Sequence, residues 1–158
     1  MYTLHLPDEQ ATDAFAQQLA TLLTPLISTE AVHIYLTGDL GAGKTAFTRA
    51  FLRQLGVTGR IKSPSYALLE SYEVQGNKLY HLDFYRFSDP HEWVEAGFRD
   101  ILEEQAVVLI EWPEKAGGLL PAPDLHLHFH YHQTGRKLII QAPSTKGVSW
   151  LKTLQIST

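Results

Sequence analysis

Gly38-Asp39-Leu40-Gly41-Ala42-Gly43-Lys44-Thr45, the string GDLGAGKT, decides how the rest of the chain is read. Before it runs Val32-His33-Ile34-Tyr35-Leu36, β-branched and aromatic, the composition of a buried strand. After it runs Ala46-Phe47-Thr48-Arg49-Ala50-Phe51-Leu52, which reads as a helix. Three glycines thus fall where a strand must turn sharply into a helix. Gly38 and Gly43 occupy the two glycine positions of the Gly-x-x-x-x-Gly-Lys-[Ser/Thr] pattern, the phosphate-binding loop or Walker A motif. The glycines let successive backbone N–H groups face one concavity, which suits phosphate oxygens. The helix beginning at Lys44 and Ala46 adds its own unpaired N–H groups and the positive end of its dipole. Lys44 brings a compact positive charge to the β- and γ-phosphates, and the Thr45 hydroxyl can ligate Mg²⁺. Residues 38–46, including Asp39, Leu40, Gly41 and Ala42, are therefore expected to hold ATP or ADP with Mg²⁺.

Working outward, Tyr2–Leu6 alternates like a short strand. From Asp8 to about Thr24, Ala11, Phe15, Leu19 and Leu22 form a helical stripe. The loop helix is expected from Lys44 to about Leu55, stopped by Gly56. YALLESYEV and KLYHLDFYR, separated by QGN, predict an antiparallel hairpin. Residues 91–104 look helical. AVVLIEW is a short apolar run expected of a strand buried on both faces. DLHLHFHYHQ and RKLIIQAP make a second hairpin around Thr134-Gly135, and the tail holds a short helix. The expectation is one α/β domain over residues 1–158: a three-layer P-loop NTPase-like fold with a central mixed, partly antiparallel sheet flanked by helices.

Composition narrows the partners. No cysteine occurs, which excludes disulfides and thiolate zinc sites. The start MYTLHLPDEQ is not built like a signal peptide, and no apolar run is long enough to span a membrane, so a cytoplasmic location is expected. The formal net charge is −4, which argues against tight nucleic-acid binding by this chain alone.

A magnesium nucleotide site needs carboxylates opposite the loop. Glu111 ends the run Val107-Val108-Leu109-Ile110, where a Walker B carboxylate belongs. Asp83, in YHLDFYR, shares a strand face with His81 and is the second candidate. Both are candidate catalytic and metal residues beside Lys44, and spacing leaves open which of the two meets the metal. Ser65, in SPSY, offers a hydroxyl where several P-loop switches meet the γ-phosphate.

With these residues assembled, the chain resembles the TsaE (YjeE) family of bacterial P-loop ATPases. The matching pieces are GDLGAGKT, SPSY, HLDFYR, EAGFRDIL and VVLIEWPEKA, in that order across residues 38 to 116. Ser65 stands where the family usually has threonine. The resemblance implies a weak Mg-dependent ATPase needed to make threonylcarbamoyladenosine beside the tRNA anticodon. It further implies TsaB-like and TsaD-like partners, whose assembly ATP hydrolysis would reset. It carries nucleotide and magnesium roles to Lys44, Thr45, Asp83 and Glu111. It places Trp112 near the nucleotide, Thr12 on its base side, and Arg136 within the family pattern.

Rival readings have their own signatures. A GTPase would carry Asn-Lys-x-Asp, but Asn77-Lys78-Leu79-Tyr80 lacks the aspartate. A small-molecule kinase would cluster arginines on a lid, and the arginines here are scattered. A nucleotide-gated binding module would dock partners without hydrolysis. Arg86 could act as an internal arginine finger, although a strand-end arginine is more often a surface residue. His126, His128, His130 and His132 alternate with Leu125, Leu127, Phe129 and Tyr131. Strand neighbours two apart are about 6.6–6.8 Å from each other, too far for four to share one ion, so a polar strand face is expected. Trp93, Phe98, Trp150, Leu151 and Leu154 are read as core rather than partner-docking residues.

Overall fold

The computed structural model describes residues 1–64, 67–95 and 97–154. Strands β1 (Tyr2–Leu6), β2 (Val32–Thr37), β3 (Leu69–Val74), β4 (Asn77–Asp83), β5 (Val107–Glu111), β6 (Leu125–His132) and β7 (Gly135–Gln141) form one sheet in the order β1-β7-β6-β2-β5-β4-β3. Strands β6, β2, β5 and β4 run parallel; β7 and β3 pair antiparallel at either side, and β1 pairs antiparallel with β7. This is the mixed α/β sheet read from the sequence.

Period-two alternation divides the core between the two faces. Val32, Ile34, Leu36, Val107, Leu109, Leu125, Leu127 and Phe129 pack with α1 (Glu9–Leu23), α2 (Lys44–Leu55) and α5 (Thr145–Thr153). On the other face Tyr35, Leu82, Val108 and Ile110 pack with Trp93, Ala116, Phe84 and Phe87. Helix α1 starts where Asp8 accepts a hydrogen bond from the Ala11 N–H at 2.8 Å, a side-chain N-cap. Helix α2 has the bounds its flanking glycines predict: Gly43 and Gly56, at φ 119° and 118°, start and stop it.

One expectation needs correction. Residues 91–104 are not a single helix but two short ones, α3 (Glu92–Glu95) and α4 (Arg99–Glu103), with Gly97 between them at φ 82°. The apolar spacing continues across the break because Trp93, Phe98, Ile101 and Leu102 all face the same core. A 3-10 segment, Pro113–Leu119, also follows β5, where no element was expected. Trp93, Trp150 and Leu151 are buried as read, and Phe98 and Leu154 pack against the core. Among the described residues no helix is long and apolar enough to cross a membrane.

Candidate nucleotide site

Parallel strands place their carboxyl ends together, and connections leaving those ends form the usual crevice of an open α/β sheet. Strand β2 ends at Thr37, and residues 38–43 turn into α2. The turn needs glycine at Gly38 and Gly41. Gly38 has φ 152°, and an added Cβ would sit 2.7 Å from the Phe129 carbonyl oxygen, which is backbone and cannot give way. Gly41 has φ 79°, and a Cβ there would lie 2.9 Å from the Tyr131 hydroxyl.

Beside the loop the register pairs Asp83 with Glu111, and Glu111 with Leu36. Leu79, His81 and Asp83 share the α2 face of β4, and Leu109 and Glu111 share that face of β5. Both carboxylates are thus carried to the face where α2 begins. Asp83 is 8% exposed and Glu111 6%. Burial pushes the Asp83 carboxyl up, the Tyr85 backbone N–H it accepts at 2.9 Å pulls it down, and the Glu111 charge pushes it up again. Glu111 Oε2 lies 2.7 Å from His81 Nε2. Lys44 is buried, and its ammonium donates to the Gly38 carbonyl at 2.6 Å and stands 4.0 Å over the Trp112 ring. Burial pushes its pKa down, while Glu111, then Asp83, then Glu114 and Asp39, push it up.

A cavity of about 630 Å³ opens over this group. Of the residues singled out in the sequence, Thr12, Leu40, Gly41, Gly43, Lys44, Thr45, Ala46, Asp83, Glu111, Trp112 and Arg136 line it. Gly38, Asp39 and Ala42 do not; they belong to the loop's outer turn, where Asp39 is exposed and its carbonyl accepts the Ala42 N–H at 3.0 Å. Ser65 lies outside the described residues. Arg86 is exposed and borders the cavity. Trp112 adopts φ 56°, ψ 48°, the left-handed region that a non-glycine residue enters only under local constraint. That conformation swings its indole from the end of β5 into the cavity wall, 4.9 Å from the Tyr85 ring.

Sequence reasoning missed several wall residues. Tyr85, Arg49 and the start of α1 at Asp8 and Glu9 contribute to the cavity. Arg136 was assigned to the nucleotide. Its guanidinium donates to the carbonyls of Ala42 (3.0 Å) and Gly41 (3.1 Å) and lies 4.4 Å from the Tyr131 ring centre. Tyr131 donates to the Leu40 carbonyl at 2.8 Å. The β6–β7 hairpin thus holds three consecutive loop carbonyls from outside. The only signal in the sequence was that both residues flank the Thr134-Gly135 turn. The histidines of β6 grade from half-buried His126 and His128, whose rings stack at 3.9 Å, to exposed His130 and His132.

The donor set suits a magnesium ion: two buried carboxylates and a hydroxyl are hard oxygen ligands, and two neighbouring buried negative charges call for a cation. A strand, a glycine turn and a helix, with paired carboxylates on the adjacent parallel strands, define a P-loop NTPase-like α/β protein. Residues 6–138 match the family model "Threonylcarbamoyl adenosine biosynthesis protein TsaE". The chain is 39% identical over 145 residues to the tRNA threonylcarbamoyladenosine biosynthesis protein TsaE of Haemophilus influenzae, covering 92% of each chain. It is 33% identical to that of Rickettsia felis, over 98% of this chain and 87% of the relative. The crystal structure of Bacillus subtilis YdiB superposes with a TM-score of 0.77 at 26% identity, covering 97% of this chain and 93% of that one. The chain belongs to the TsaE family, which acts in tRNA threonylcarbamoyladenosine biosynthesis.

Proposed function

We propose that this protein binds and slowly hydrolyses Mg·ATP, and that this cycle serves threonylcarbamoyladenosine formation through TsaB-like and TsaD-like partners. The observation that carries the reading is the convergence of Lys44, Thr45, Asp83 and Glu111 on one cavity beside a glycine turn. The turn's N–H groups and the start of α2 bind the phosphates. Lys44 is already desolvated among carboxylates, so it meets a phosphate with little further loss of hydration. Thr45 with Glu111 or Asp83 would hold Mg²⁺, which when bound neutralises charge on the phosphate oxygens. The other carboxylate accepts a proton from the attacking water and orients it. Trp112 and Tyr85 screen the reacting end from solvent. Thr12, buried at the start of α1, lines the cavity at the base side that the family resemblance implies.

Calorimetric titration with ATP and ADP, with and without Mg²⁺, tests the binding. Phosphate release by Lys44→Ala and Glu111→Gln tests the chemistry. Both variants are expected to lose at least about 10²-fold in turnover, the scale of removing a group that stabilises transition-state charge. Full activity in either rejects the assignment. Pull-down from cytosol with and without ATP, read for TsaB-like and TsaD-like subunits, tests the partners.

A further inference from the structure

Behind Glu111, on the side away from the open cavity, lies a second, smaller chamber of about 40 Å³. It is walled by Thr45, Thr48, Ile61, Ser63, His81 and Glu111. Two of these side chains are almost wholly buried, Thr48 at 2% exposure and His81 at 3%. Among the described residues neither Thr48 Oγ1 nor His81 Nδ1 has a hydrogen-bond partner. Buried polar atoms are paired in the great majority of cases, so two orphans on one small chamber need a shared explanation.

The chemistry of His81 supplies it. Its Nε2 lies 2.7 Å from Glu111 Oε2, and an ionised carboxylate only accepts, so Nε2 carries the hydrogen. Nδ1 of the neutral ring is then an acceptor that requires a donor. A hydroxyl that could donate, on Thr48, faces the same chamber but is out of hydrogen-bond reach. A chamber of this volume exceeds the roughly 10–15 Å³ that one water requires, and its lining offers polar partners.

We propose that an ordered water in this chamber donates to His81 Nδ1 and bonds to Thr48 Oγ1, and that the resulting chain makes His81 the positioning residue for the Glu111 carboxylate. Helix α2 thereby carries two hydroxyls a turn apart with separate tasks: Thr45 lines the phosphate side, and Thr48 anchors the water behind. The water fixes the ring's tautomer and plane, and the ring fixes which Glu111 oxygen stays turned toward the cavity. Partners behind a metal-site ligand typically govern affinity or activity by about 10–100-fold. The catalytic part of this inference rests on the nucleotide reading of Glu111; the water and the tautomer do not.

Three measurements test it. A crystal structure should show density within hydrogen-bond distance of both Thr48 Oγ1 and His81 Nδ1; a dry chamber overturns the proposal. Long-range ¹H–¹⁵N spectra should show His81 protonated at Nε2 only; a proton on Nδ1 overturns it. In ADP titrations, His81→Phe should weaken the Mg²⁺ dependence of binding by about 10–100-fold while metal-free ADP affinity holds. His81→Gln, whose amide can still donate to Glu111, should recover most of that loss. Unchanged Mg²⁺ dependence in His81→Phe overturns the positioning role. Should that variant fail to fold, Thr48→Val, which removes only the hydroxyl, carries the test: it should lose the water and weaken the Mg²⁺ dependence, and retaining both overturns the proposal. A wild-type chain that binds no nucleotide would instead retire the proposed function, with density and tautomer still deciding this inference.

Discussion

Asp83 shows how a site residue opposes the fold that holds it. Its carboxyl is buried beside Glu111, and burial is the main cause of its raised pKa. The folded state therefore disfavours the ionised form, and stability drops as pH rises through the range where the free carboxyl ionises and Asp83 resists. Asp83→Asn removes that charge, and the amide oxygen can still accept the Tyr85 N–H. The variant is expected to be more stable than the wild type at pH 7 without nucleotide. The difference should vanish below about pH 4, where both states are protonated. The stabilisation added by Mg·ADP should shrink in the same variant. Denaturant titrations at pH 7 and pH 3.5, with and without Mg·ADP, check both. A variant less stable at pH 7, or one fully stabilised by nucleotide, contradicts the account.

At the scale of elements, the phosphate loop depends on a hairpin remote in sequence. Arg136 and Tyr131 hold the carbonyls of Leu40, Gly41 and Ala42 from the β6–β7 side. A peptide whose carbonyl is held outward presents its N–H toward the opposite side, so the brace helps aim the loop's donors into the cavity. Arg136→Met keeps part of the stem packing on Tyr131 and loses the donors. We expect about 10-fold weaker ADP binding, the worth of one charge-assisted hydrogen bond, with thermal stability changed by only a few degrees. Wild-type ADP affinity, measured by calorimetry, would contradict it. This brace also marks the limit of the sequence reading. Helix α2 was legible to the residue because Gly43 and Gly56 bracket one apolar stripe, and Glu111 was legible because it ends an unbroken buried run. Arg136 and Ala42 are 94 positions apart, and no local pattern records that contact. The break at Gly97 was masked by apolar spacing that continues on both sides of it. The left-handed turn at Trp112 was masked too, since a tryptophan there reads as one more residue of β5.

At the scale of the whole molecule, the sheet is covered unequally. Beyond β4, β5 and β2, where α3, α4 and the 3-10 segment supply cover, the same face along β6 carries His126, His128 and His130. His126 sits at the boundary, its Nε2 2.6 Å from Thr37 Oγ1 and its ring 6.1 Å from that of Tyr35. Burial, and then the neighbouring His128, push its pKa down from 6.5 to about 4. A lowered pKa means the folded state favours the neutral ring. This contribution is therefore complete above the unfolded value and is lost as pH falls from about 6.5 toward 4. The ring is only partly buried, so solvent screening reduces the effect to on the order of 1–2 kcal/mol between pH 7.5 and pH 5. His126→Gln cannot titrate, and its side chain can still meet Thr37. Urea unfolding at the two pH values should therefore show a smaller loss for the variant than for the wild type, by about that amount. His130 is exposed and gains nothing from being neutral in the fold, so His130→Gln should leave the wild-type pH dependence in place. If His126→Gln loses as much stability as the wild type, the acid sensitivity lies elsewhere in the fold and the boundary histidine is not its source.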